Sequence, residues 1–88
     1  MPYHLFYHPG VSHDLSRIPQ NIKDRIRHAI GERLAADPLR FGDPLKRSLR
    51  GYRKLRVGDY RVIYRIEQDN VIILKIGHRK EVYKNFDS

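Results

Sequence analysis

The chain contains no cysteine, which excludes disulfide staples and thiolate metal sites. It has no apolar run approaching the ~20 residues that a membrane-spanning helix needs. Its first ten residues, MPYHLFYHPG, lack the basic segment, apolar stretch and small-residue cleavage site of a secretory signal. A soluble cytoplasmic protein without a membrane partner is the simplest expectation. Five histidines are present, but none stands at a spacing that suits a metal. His4 and His8 share one side of a strand pattern and would lie ~13 Å apart at strand rise, too far for one ion. No Ser/His/Asp set, carboxylate pair or phosphate-binding loop stands out. Neither a metal nor another cofactor is expected.

Negative charge is also scarce. Ten acidic residues stand against eighteen lysines and arginines, for a net charge of +8 and a pI of about 10.1. The excess is local. Between Lys46 and Arg65 lie Lys46, Arg47, Arg50, Arg53, Lys54, Arg56, Arg61 and Arg65, opposed only by Asp59. Tyr52, Tyr60 and Tyr64 are interleaved with them. Concentrated positive charge with interspersed aromatics suits a nucleic-acid backbone. A basic surface that merely confers solubility is the plainer alternative. A basic membrane-surface helix fits less well, because these charges fall on a strand pattern.

At 88 residues, 40% hydrophobic and 32% charged, the chain has room for one core, and a single domain over residues 1–88 is expected. The stretch YRKLRVGDYRVIYRIE, Tyr52 to Glu67, organises the reading. Gly58-Asp59 between two β-rich runs signals a two-residue type II′ hairpin. That turn pairs Val57 with Tyr60, so Leu55 faces Val62 and Arg53 faces Tyr64 on one side. The pairs Arg56/Arg61, Lys54/Ile63 and Tyr52/Arg65 fall on the other. One face is mostly apolar and the other mostly cationic. Like charges opposite each other cost stability, so Arg56 across from Arg61 suggests a face that meets an anion.

Before this hairpin, Tyr3 to His8 alternates as a short strand stopped by Pro9-Gly10. Val11, Leu15 and Ile18 recur at helical spacing, with Ser12 as a candidate cap. Pro19 suits the first position of a second helix reaching about Ala36, with Ile22, Ile26, Ala29, Ile30 and Leu34 as its apolar stripe. Leu39 to Gly51 is irregular, with Leu45 and Leu49 expected to hold it to the core and Lys46, Arg47 and Arg50 extending the positive surface. After the hairpin, a three-residue turn at Gln68-Asp69-Asn70, with Asn70 left-handed, is expected. It would put Ile72, Leu74 and Ile76 inward and leave Lys75 outside. Arg79 then points to the side of Arg56 and Arg61. Ile63 and Ile73 would interrupt the cationic face, covered by the C-terminal segment, by Phe86 or by a partner. Lys80 to Asn85 reads as a loose helical turn or coil. The expected fold class is α+β: two N-terminal helices on one face of a small, mainly antiparallel four-stranded sheet, in the order β-α-α-β-β-β, with a short C-terminal helix or tail.

A cation-rich face with a tyrosine has one obvious chemical use. Cleaving RNA through its own 2′-hydroxyl requires removing that proton, stabilising a doubly charged phosphorane and protonating the departing 5′-oxygen. Lysine and arginine stabilise the developing charge, and cations near a tyrosine favour its anion, the form that acts as a base. The helix pair followed by LRGYRKLRVGDYRVIYRI and IGHRKEVY resembles the RelE/ParE superfamily of toxin–antitoxin toxins over nearly the whole chain. The resemblance implies one of two activities: metal-free cleavage of messenger RNA in the ribosomal A site, or inhibition of DNA gyrase. It implies that Lys54 holds the scissile region, Arg61 binds phosphate, Arg79 stabilises the transition state or leaving group, and Tyr83 acts as base or stacking platform. Lys46, Arg47, Arg50, Arg56, Arg65 and Lys75 would bind RNA around them. The departure is Tyr52, where well-known members carry a second lysine; Arg53, facing the other side, is a poor substitute. The implied partners are a cognate antitoxin, whose acidic or amphipathic segment would wrap the helix pair or the cationic face, and the ribosome with its messenger RNA. Structural roles are the alternative for Arg56 and Arg61, linked to Asp59 or the C-terminus, and for Tyr83, packed on Ile63. A plain RNA-binding or catalytically weak homologue is the third functional alternative.

Overall fold

The computed structural model describes residues 3–45 and 51–83. Strand β1 (His4–Tyr7) leads into helices α1 (Gly10–Ser16) and α2 (Gln20–Ala29), and α2 runs on into a π-helical turn over Ile30–Leu34. A single turn, α3 (Pro38–Phe41), precedes β2 (Asp43–Pro44), β3 (Tyr52–Val57), β4 (Tyr60–Glu67) and β5 (Asn70–His78). The sheet order is β1-β5-β4-β3-β2, with β1 parallel to β5 and the remaining pairs antiparallel. Among the described residues there are thus five strands rather than four. The extra one is two residues long and contains proline, which is tolerated at a sheet edge because an outward-facing amide is not needed for the ladder.

The apolar stripe of α2 lies on the sheet as its period requires. Ile26, Ala29, Ile30 and Leu34 are buried with Val11 and Ile18 against Leu55, Val57, Val62, Tyr64, Val71, Ile73 and Ile76, and Ile22 is partly buried beside them. Ser12 does not cap α1. The helix starts two residues earlier, and the Ser12 hydroxyl instead donates back to the Pro9 carbonyl at 3.1 Å. Pro19 is the residue before α2, its carbonyl accepting from Ile22 and Lys23.

The β3–β4 register is the expected one at every pair, from Val57↔Tyr60 to Tyr52↔Arg65. Gly58 has φ +60 whereas Asp59 keeps a negative φ, the combination that a type II′ turn requires. The β4–β5 register corrects the expectation. Glu67 pairs with Asn70 across a two-residue Gln68-Asp69 turn, and the left-handed residue is Gln68, φ +56, not Asn70. A bulge between Ile63 and Tyr64 then shifts the pairing by one residue, so that Val62 opposes Ile76 and Ile63 opposes Lys75. The bulge keeps Lys75 off the core, as the longer turn was expected to do, but it puts Val71 and Ile73 inside, in place of Ile72 and Leu74. An unpaired Leu74 flips parity halfway along the strand.

Arg53 and Tyr64 form a clasp on the core side. The Tyr64 hydroxyl donates to the Pro38 carbonyl at 2.7 Å, and Arg53 donates to the Gly42 and Leu39 carbonyls at 2.7 and 3.0 Å and to the Tyr64 oxygen at 3.3 Å. Glycine is required at 42 because a Cβ there would lie 1.8 Å from the Tyr64 hydroxyl. Burial pushes the Tyr64 phenol above its ordinary value, and the hydrogen bond from Arg53 partly opposes that shift.

Candidate functional site

Side-chain alternation across three antiparallel strands builds the face turned away from the helices. Its rows run Arg56–Arg61–Gly77 nearest the 58–59 hairpin, then Lys54–Ile63–Lys75, then Tyr52–Arg65–Ile72. Arg79 follows β5 in the same parity as Lys75 and Gly77.

Past β5 the chain folds back on itself. The amides of Glu81 and Val82 both donate to the His78 carbonyl, at 2.8 and 2.9 Å. The turn lays Val82 over Gly77, where an added Cβ would come within 3.4 Å of it. Val82 and Ile63 are both buried, yet both stand outside the cluster beneath the helices. The apolar interruption of the cationic face is therefore Ile63 with the half-buried Ile72, not Ile73, and the C-terminal turn contributes Val82 on that side. The same turn brings Tyr83 to Lys54, whose ammonium lies 5.9 Å from the ring centroid, within cation–π reach. The Tyr83 hydroxyl and the Arg65 Nε are buried without a hydrogen-bond partner among the described residues. Arg65 otherwise pairs with Glu67 at 2.7 Å.

Arg61 and Arg79 converge on the hairpin tip. Arg61 donates from Nη1 to the carbonyls of Gly58 and Tyr60, both at 2.9 Å. The Arg79 amide donates to the Asp59 carbonyl at 2.8 Å, and its Nε stands 3.7 Å from the Asp59 carboxylate. Both partners of that pair are more than half exposed, so it is worth well under about 1 kcal/mol and yields readily to a phosphate. Arg61 keeps outward N–H groups, because a guanidinium carries five donors and the two carbonyls are served from one nitrogen. Tyr60 and His78 meet edge to face with centroids 5.5 Å apart. Lys46, Arg47, Arg50, Leu49 and Phe86 lie outside the described residues. Among the described residues no three histidine, aspartate or glutamate side chains gather where an ion could be held.

Asp14 went unnoticed in the sequence. Its carboxylate accepts from the Ile76 amide at 3.1 Å, occupying the edge of β5 just beyond the end of β1. Nothing local marks it, since donor and acceptor are 62 residues apart. On the helix side an apolar groove of about 550 Å³ lies between α1, α2 and the end of β1, lined by Val11, Leu15, Ile26, Ile30 and Ile76 with Tyr7, Lys23 and Arg27. Among the described residues no helix is long and apolar enough to cross a membrane.

The family model for the ParE toxin of type II toxin-antitoxin system, parDE, matches residues 5–83. Toxin RelG of Mycobacterium tuberculosis is 37% identical over 87 residues, spanning 96% of this chain and 99% of the relative. The toxin–antitoxin complex RelBE2 of the same organism contains a chain that superposes with a TM-score of 0.84 at 34% identity, covering 92% of this chain and 95% of that one. The RelB–RelE complex of Methanococcus jannaschii gives 0.73 at 25% identity, covering 92% and 98%. On fold, sequence and extent together, the chain belongs to the RelE/ParE superfamily of type II toxin–antitoxin toxins.

Proposed function

We propose that this toxin is a metal-independent endoribonuclease that cuts messenger RNA in the ribosomal A site. The observation that carries the reading is Lys54 set against the Tyr83 ring on the sheet face that also bears Arg61 and Arg79. In the reaction the 2′-oxygen attacks the adjacent phosphorus as its proton leaves, and the bond to the 5′-oxygen breaks. The products are a 2′,3′-cyclic phosphate and a 5′-hydroxyl. Arg61, already aimed at the hairpin tip, holds the non-bridging oxygens as charge builds on them. Arg79 exchanges Asp59 for the departing oxygen. Lys54 fixes Tyr83, which stacks on a base or takes the 2′ proton. With Tyr52 in place of a family lysine, the face has one ammonium fewer at this point and its turnover is expected to be lower. The reaction takes place in the cytoplasm on the translating ribosome. Arg56, Lys75 and Arg65, with Lys46, Arg47 and Arg50, steer the protein to RNA, Arg65 less so because Glu67 already neutralises it. A cognate antitoxin restrains the toxin, in keeping with the toxin–antitoxin complexes among its structural relatives. Its amphipathic segment suits the groove between α1 and α2.

The matching family model is that of a ParE toxin, and the activity that the resemblance implies for ParE-type members, inhibition of DNA gyrase, is the second reading. Induction in cells, with transcript 5′ ends and DNA breaks mapped side by side, separates the two. Codon-phased cuts within translated messages are expected. Double-strand breaks with the SOS response and intact messages would establish the gyrase reading instead. Neither cuts nor breaks would leave binding without catalysis.

A further inference from the structure

The arginines at the hairpin tip are not confined to the outer face. On the helix side a separate cavity of about 510 Å³ is lined by Arg25 and His28 of α2, by Glu32 and Arg33 of the π-helical turn that follows it, and by Arg56, Val57 and Gly58 at the end of β3. Arg25 lies directly over the turn, its guanidinium nitrogens 3.5 and 3.7 Å from where a Gly58 Cβ would be. Arg61 grips the carbonyl of that same Gly58 from its own strand, and Arg79 engages Asp59. Arg56 connects the two sides: its register position is opposite Arg61, while its side chain lines the cavity with α2. It can wrap around because β2 covers β3 only at Arg53 and Lys54.

Three features define what this cavity accepts. The side chains of Arg25, Arg33 and Arg56 make no hydrogen bond or ion pair with any described residue, so three guanidinium forks in one concavity are unspent. Glu32, the only carboxylate there among the described residues, is turned to His28 at 3.7 Å. The apolar lining is limited to Ala29 and Val57, which offers nothing for the anchors of an amphipathic helix. Forked donors without apolar anchor sites match phosphate oxygens.

We infer that the helix-side cavity of Arg25, Arg33 and Arg56 is a second phosphate-binding site, and that one RNA backbone runs from it over the hairpin tip to Arg61 and Arg79. The track is independent of bond cleavage, so its test uses RNA that cannot be cut. A short 2′-O-methyl RNA strand is titrated with the wild-type protein and with the double variant Arg25→Gln and Arg33→Gln, over a range of salt concentrations. Both positions are exposed, Arg25 on α2 and Arg33 on the π-helical turn after it, and glutamine is a good helix former, so an unchanged melting temperature verifies the fold; Arg25→Lys with Arg33→Lys, which keeps both charges, serves as a second variant. Each phosphate contact on a single strand contributes about 0.7 to the slope of log affinity against log salt, so losing two should reduce that slope by about 1.4. Weakening should be equal across RNA sequences and largely recovered in the lysine variant. An unchanged slope would overturn the proposal. So would polyglutamate peptide binding more tightly than RNA of equal charge with the same dependence on Arg25 and Arg33, which would assign the cavity to an acidic protein segment. Because the probe is inert, loss of cleavage elsewhere in the molecule does not affect either outcome.

Discussion

At the residue scale, the Arg61 and Arg79 groups proposed to act on RNA and the Arg53–Tyr64 clasp that holds the core lie on opposite sides of β3 and β4. Among the described residues the Arg79 side chain pairs only with Asp59, and its backbone amide, not its side chain, makes the bond that closes the turn. Arg79→Ala is expected to abolish growth inhibition on induction while leaving the melting temperature within about 4 °C, since exposed pairs contribute little; undiminished toxicity would remove Arg79 from the reaction. Gly42→Ala should do the reverse. Its methyl group would collide with the Tyr64 hydroxyl, and relieving that overlap should cost at least about 1–3 kcal/mol, read by urea denaturation. Tyr64 also sets a pH limit. Its phenol is held neutral above its ordinary value by burial, so above about pH 10 the unfolded chain gives up a proton that the folded chain keeps. Stability should be flat below that pH and fall as pH rises toward the folded value. Tyr64→Phe should be less stable at neutral pH by about 1–2 kcal/mol for the lost hydrogen bond, with a shallower alkaline decline. Of these residues, the sequence placed Arg53 and Tyr64 opposite each other on the core side. It gave no hint of their partners, because the Pro38, Leu39 and Gly42 acceptors are backbone carbonyls that every residue carries.

At the scale of elements, legibility followed signal strength. The β3–β4 pairing was readable because Gly58-Asp59 fixes a register and period-two alternation then dictates every pair. The β4–β5 pairing was not, because Leu74 carries no mark of a bulge: it is as apolar as its neighbours, and Val71, Ile72 and Ile73 suit either face. Two residues of β2 are too few to produce a pattern. The helical stripe was clear, although the π-helical end of α2 was not. Where Asp14 meets β5, a side chain replaces a missing neighbour strand. Asp14→Ala leaves the Ile76 amide facing α1 without its acceptor and is expected to cost about 1–3 kcal/mol. Hydrogen exchange should localise the loosening to the end of β5 beyond Ile73.

For the molecule as a whole, charge is the dominant asymmetry. A net +8 is opposed among the described residues by three exposed ion pairs, one of them dependent on a protonated histidine. Self-repulsion then outweighs pairing, and screening relieves it. Raising sodium chloride from about 20 to about 300 mM should therefore raise the melting temperature. A protein held together by its surface pairs would respond in the opposite direction. The same salt should weaken the proposed RNA binding, so stability and affinity should move in opposite directions along one titration.

The parallel pairing of β1 with β5 joins His4 to Asn70 and Tyr7 to Ile73. Strand β1 thus waits for β5, and the ladder that positions Lys75 and Arg79 beside Lys54 and Arg61 is missing until β5 has been made. A nascent chain that lacks β5 therefore carries an incomplete cationic face. Stalled chains ending before Asn70 should be digested rapidly by protease, and resistance should appear only after His78 has emerged.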